Sequence, residues 1–151
     1  MPLPTQAPDI YNFIADLKST NEIPPIADAE APCAGQAKIK LTVLTDPAYY
    51  NVVSGKANFD VTLNFCPATT QITLAHIHQG SATTNGPVKV DTGLRAASPI
   101  TFGTSAQIKA DVDVEPTIAD DLIKNPGNYY FNVHSAAHGG GVVRGQLVAT
   151  R

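Results

Sequence analysis

The chain has 151 residues, a formal net charge of −3 and only 15% charged residues. That length suits one domain with a real core. Its ten Lys and Arg residues are scattered, which leaves no footprint for a nucleic-acid backbone, and no apolar run approaches the roughly 18 to 20 residues of a membrane span.

A charged fraction below the roughly 25% of average soluble proteins, with plentiful Thr, Ala, Gly and Pro, predicts a secreted protein. Met1-Pro2-Leu3-Pro4 has neither the basic start nor the apolar stretch of a signal peptide, so the expectation is a mature chain whose leader has been removed. In chain order, Ile10 to Leu17 is a first, weakly patterned strand. Ala37, Ile39, Leu41 and Val43 then alternate with polar residues, the mark of a strand with one buried face. Ala57, Phe59, Val61, Leu63 and Phe65 repeat the pattern. Cys33 and Cys66 flank these two strands, which suits a disulfide staple in an oxidising compartment; two unpaired thiols are the alternative.

Gln71 to His78 is a further strand, with Ile72, Leu74, His76 and His78 on one face by period-two counting. Thr83-Thr84-Asn85-Gly86-Pro87 is a turn, followed by a short strand from Val88 to Asp91. Ile108, Ala110, Val112 and Val114 form the apolar face of a third clearly amphipathic strand. Pro116 to Lys124 is the only helical segment: proline suits its first turn, Asp120 and Asp121 suit its positive end, and Asn125-Pro126-Gly127 stops it. Strands from Tyr129 to His134 and from Val142 to Ala149 complete the chain. Such spacing predicts an antiparallel sandwich or barrel.

All four histidines fall between residues 76 and 138. In an extended strand His76 and His78 aim two imidazoles the same way, and such a pair suits copper or zinc, which take three or four nitrogen donors. His134 is the third candidate and His138, in a glycine-rich loop, the fourth. Counting parity sets His134 on the face of Tyr130 and Asn132, away from Tyr129, Phe131 and Val133. That conflicts with a shared site unless a bulge or twist re-aims one pair.

Three segments resemble the chordin-type (CHRD) domain family. They are Phe13 to Pro25, ending in Glu22-Ile23-Pro24-Pro25; Ala75-His76-Ile77-His78 with Asn85-Gly86-Pro87-Val88; and Tyr130-Phe131-Asn132-Val133-His134-Ser135 followed by Val143-Arg144-Gly145-Gln146-Leu147. They occur in the family's order and span Phe13 to Leu147. Val142 stands where the family usually has an acidic residue, Gly139 where it often has proline, and His138 lies outside its pattern. The resemblance implies an extracellular, all-β antiparallel sandwich, a Greek key of the immunoglobulin or superoxide dismutase kind with one short helix. A more distant likeness, confined to His76-Ile77-His78 and to Val133-His134 before Gly139-Gly140-Gly141, is to copper/zinc superoxide dismutases. It implies at most a copper-only site.

The expectation is therefore a metal site of His76, His78, His134 and His138, holding copper, with zinc as the alternative, and acting on a small molecule or oxygen species such as superoxide. Glu22 and Arg144 are expected to pair, tying the N-terminal segment to the last strand, or else Arg144 guides an anion to the metal. A second reading is an extracellular module that holds a protein or polysaccharide through the sandwich face and the pairs Tyr49-Tyr50 and Tyr129-Tyr130, its histidines being structural. A third is a metal-free enzyme with His134 as acid or base.

Overall fold

The computed structural model describes residues 7–150, so Met1-Pro2-Leu3-Pro4 lies outside the described residues. The strands are β1 (Asp9–Lys18), β2 (Ala34–Thr45), β3 (Val52–Asn64), β4 (Gln71–Gln79), β5 (Val88–Asp91), β6 (Ile100–Thr101), β7 (Ala106–Val114), β8 (Tyr129–Ser135), β9 (Val143–Gln146) and β10 (Val148–Thr150); helix α1 (Pro116–Lys124) precedes β8. They form one antiparallel sheet in the order β5-β4-β8-β9-β1-β2-β3-β7, with β6 beside β4 and β10 beside β1.

The sheet bends almost into a barrel at β1. That strand pairs along its whole length with β2, yet meets β9 only where Lys18 faces Arg144, and its residues Asn12 to Ile14 pair instead with β10. Two half-sheets, β5-β4-β8-β9 and β1-β2-β3-β7, thus close on each other. The residues expected to face inward from β2 and β3 do so, from Ala37 to Val43 and from Ala57 to Leu63, and Phe59 meets Phe131 of the opposite half with ring centroids 5.7 Å apart. Phe65, expected to continue this row, is 74% exposed because it lies past the end of β3.

Other elements differ from the sequence expectation for physical reasons. The last strand is two, β9 and β10, parted at Leu147, whose side chain is buried and whose N–H bonds to the Tyr129 carbonyl. Gly145 in β9 is required by close approach: a Cβ there would overlap the Asp16 backbone of β1. Helix α1 has the expected bounds, but Asp120 and Asp121 sit beyond its first turn, where Asp120 accepts from Lys124 (2.7 Å) and Asp121 from Asn125 (2.9 Å) and the Tyr129 hydroxyl (2.5 Å). Tyr129 and Tyr130 are both buried and present no docking surface, whereas Tyr49 and Tyr50 are exposed.

Cys33 and Cys66 form a disulfide between the approach to β2 and the exit of β3, two antiparallel neighbours. Closing a loop across a sequence separation of 33 removes unfolded-state entropy. Replacing both cysteines by serine is expected to lower unfolding free energy by about 3.5 to 4 kcal/mol, measured by urea denaturation. A loss below about 1 kcal/mol would show that the unfolded chain is already restricted without the bond.

Candidate metal centre

The site begins with a bulge. Ile72 of β4 faces Ser135 of β8, but Leu74 faces His134, so two steps along β4 match one along β8 and Thr73 is the extra residue. Parity inverts there. Ile72, Ala75 and Ile77 point into the core, while Leu74, His76 and His78 take the opposite face, so the expected shared face of Ile72 and the two histidines does not exist. Cross-strand partners follow: His76 faces Asn132, His78 faces Tyr130 and Leu74 faces His134. The parity conflict is thereby removed, because His134 shares its face with Tyr130 and Asn132, now opposite the two β4 histidines.

That face is nevertheless buried. The segment after β1, the 80–87 loop and the 136–142 loop cover it, leaving His76, His78 and His134 between 6% and 8% exposed. Ring centroids of the three lie 5.1 to 5.9 Å apart. His78 Nδ1 donates to the Gly86 carbonyl and His134 Nδ1 to the Gly139 carbonyl, both at 2.9 Å; these bonds fix the tautomer and leave each Nε2 as a free lone pair. His76 Nε2 lies 3.7 Å from Asp91 Oδ1, leaving Nδ1 free. His76 Nδ1, His78 Nε2 and His134 Nε2 are buried without a hydrogen-bond partner, and one ring nitrogen from each residue lies within 4.8 Å of the others. Gly86 makes this possible, since a Cβ there would overlap the Gln79 backbone and push the loop off His78.

Burial keeps the rings neutral. Desolvation, then the neighbouring His134, holds the His76 pKa at about 4. Burial also lowers those of His78 and His134, against the opposing pull of their carbonyl bonds. Three neutral, convergent imidazoles with spare lone pairs fit a divalent ion and leave a coordination position open.

Arg144 and Glu22 do not meet in an ion pair. The Arg144 guanidinium, 1% exposed, lies 3.5 Å over the Tyr130 ring, which stacks on His78 with centroids 4.9 Å apart. It donates to the Ser81 carbonyl (2.8 Å), the Thr84 carbonyl (2.9 Å) and Asn85 Oδ1 (3.2 Å), ordering the loop that supplies Gly86. Glu22 Oε2 accepts from Asn132 Nδ2 at 2.6 Å, and burial pushes its carboxyl up to about 7 despite that bond and the nearby Arg144 charge. His138 stands apart from the other three histidines. Its Nδ1 lies 2.6 Å from Glu30 Oε1 and its Nε2 2.9 Å from Asp28 Oδ2. A cavity of about 780 Å³, floored by His78 and His134 and walled by Ile23 to Ala27, also reaches Glu22 and Arg144.

Sequence reasoning missed Asp91, Asn132, Asp28 and Glu30 as partners. Asn132 sits inside the Tyr130 to Ser135 motif, and Asp91 ends a strand already expected. The two loop acids carried no signal.

In the metal-free protein the triad makes stability depend on pH. Each folded-state histidine pKa lies below the ordinary 6.5, so the unfolded chain binds protons first on acidification. Stability from the neutral rings is complete above 6.5 and is lost as pH falls towards the His76 value of about 4. Glu22 has the opposite sign: raised from 4.5 to about 7, it contributes fully below 4.5 and loses that contribution as pH rises through 7. Three rings outweigh one carboxyl, so the urea midpoint should fall on acidification, and more steeply in Glu22→Gln. A midpoint that rises between pH 6.5 and 4 contradicts the neutral triad.

No helix among the described residues is long and apolar enough to cross a membrane. No curated protein and no solved structure matches the chain. The CHRD domain matches residues 13–147, which takes in the Glu22 segment, all four histidines and the Arg144 strand. The chain is therefore a member of the CHRD domain family.

Proposed function

We propose that this is a secreted domain whose His76, His78 and His134 hold one metal ion, copper in preference to zinc. The observation that carries the reading is a buried triad in which each ring has a nitrogen without a partner and one ring nitrogen from each residue lies within 4.8 Å of the others. A buried polar atom without a partner costs about 1 to 3 kcal/mol, and an ion removes all three costs together. The disulfide and the family both favour an extracellular setting.

Bound copper would supply one-electron chemistry of the kind superoxide removal needs, whereas zinc would supply structure or an activated water. The residues around it have separate tasks. Gly86 and Gly139 carbonyls hold two rings in the ligating tautomer, Asp91 flanks the third, and Arg144, with no carboxylate in ion-pair range among the described residues, adds positive charge to the cavity wall that draws in an anion.

A second reading rests on Tyr49 and Tyr50, 81% and 84% exposed at the β2–β3 turn: an extracellular module that docks a protein or polysaccharide there, its histidines structural.

Elemental analysis and titration should find about one equivalent of copper in the wild type and none in His78→Ala. With copper at about 100 times its dissociation constant, the thermal midpoint should rise by about 5 to 10 °C. Coincident melts with and without copper or zinc would reject the metal reading and leave the docking module. Copper uptake without faster superoxide decay would reject the redox activity alone.

A further inference from the structure

We infer that His138 is a positioning residue for the metal centre: it clasps the 22–30 segment down over the triad and so controls how fast the ion enters and leaves. The inference rests on the reading of His76, His78 and His134 as a metal site.

The 22–30 segment walls the cavity floored by His78 and His134 through its residues 22–28. It is tied at both ends. At its start, Asn132 donates to the buried Glu22 carboxylate, and Asn85 Nδ2 donates to the Ile23 carbonyl at 3.2 Å. At its far end, the His138 ring spans Asp28 at 2.9 Å and Glu30 at 2.6 Å, and Glu30 Oε1 also accepts from Ser135 Oγ at 2.6 Å. A hydrogen bond to a charged group is the stronger kind, and a carboxylate at each ring nitrogen holds the ring in place.

The ring sits on a tight turn. The His138 N–H bonds to the Ser135 carbonyl, and the His138 carbonyl accepts from the N–H groups of Ser135 and Gly141. That turn presents the Gly139 carbonyl to His134 Nδ1. One residue thus joins the roof of the cavity to the loop that orients a ligand. Glu22 and Glu30 are buried, at 5% and 6% exposed, whereas the His138 and Asp28 side chains between them and solvent are 20% and 58% exposed. Opening is easier at the His138 end, beside His134.

The test uses the full chain loaded with copper(II) and measures transfer of the ion to excess EDTA. In His138→Ala release should accelerate about tenfold or more, as expected for losing a charge-assisted clasp, while one equivalent still binds and the copper electron paramagnetic resonance spectrum is unchanged. Asp28→Asn, at a mostly exposed position, should give an intermediate acceleration and serves if His138→Ala folds poorly. Amide hydrogen exchange of residues 22–30 in the metal-free protein should rise about tenfold in either variant, with protection of the β2–β3 core unchanged. Release and exchange within twofold of wild type would overturn the clasp. A changed copper spectrum in His138→Ala would also overturn it, by making His138 a ligand. If the wild type holds no ion, the metal reading fails, and the exchange measurement alone decides the clasp.

Discussion

The chemistry of this domain depends on β8 being buried on both faces. Phe131 and Val133 fill the space between the half-sheets, while Tyr130, Asn132 and His134 on the reverse side are roofed by three loops. A sheet with one wet face would leave those polar groups hydrated and ordinary. Under cover they must find partners, and most do: Asn132 in Glu22, Tyr130 in the Gly86 N–H, Arg144 in the loop carbonyls. Three ring nitrogens are the exception.

Dehydration shapes the electrostatics in the same direction. It holds the imidazoles neutral, the protonation state in which nitrogen can donate to a metal, and it pushes the Glu22 carboxyl up to about 7. Arg144 is covered as well, at 1% exposed. Its aromatic neighbour and three oxygen acceptors do for it what water would do at a surface.

Where one face of a strand meets water, the fold was readable. The alternation in β2, β3 and β7 identified the buried side chains because their neighbours on the same strands are solvated. In β8 the apolar Tyr129, Phe131 and Val133 mark the core face, but all seven residues are buried, and nothing in the alternation tells that the face of Tyr130, Asn132 and His134 is covered as well. The short β6, with two residues, falls below any pattern, and the parting of β9 from β10 depends on Leu147 turning inward. The three ligand candidates were visible as residue types at a telling spacing. Their convergence was not, because it rests on a β4 bulge that leaves no mark on composition. His138 illustrates the reverse: proximity in sequence to His134 suggested a shared role, but the carboxylates that engage it come from more than a hundred residues earlier.

Thr73 makes the strand tolerant of a loss at one position and at no position just beyond it. Because it is one residue in excess over the partner strand, its removal would make Ile72 opposite Ser135 and Leu74 opposite His134 consecutive pairs, with Ile72, Ala75 and Ile77 still inside and Leu74, His76 and His78 still on the other face. Removing Ala75 instead, with the pairing up to Leu74 kept, would swap the faces of every later side chain, driving His76 and His78 among the aliphatic groups and turning Ile77 out beneath the loops. A frame-preserving loss of a single codon is therefore absorbed at the bulge, whereas two residues further along it dismantles the set of donors.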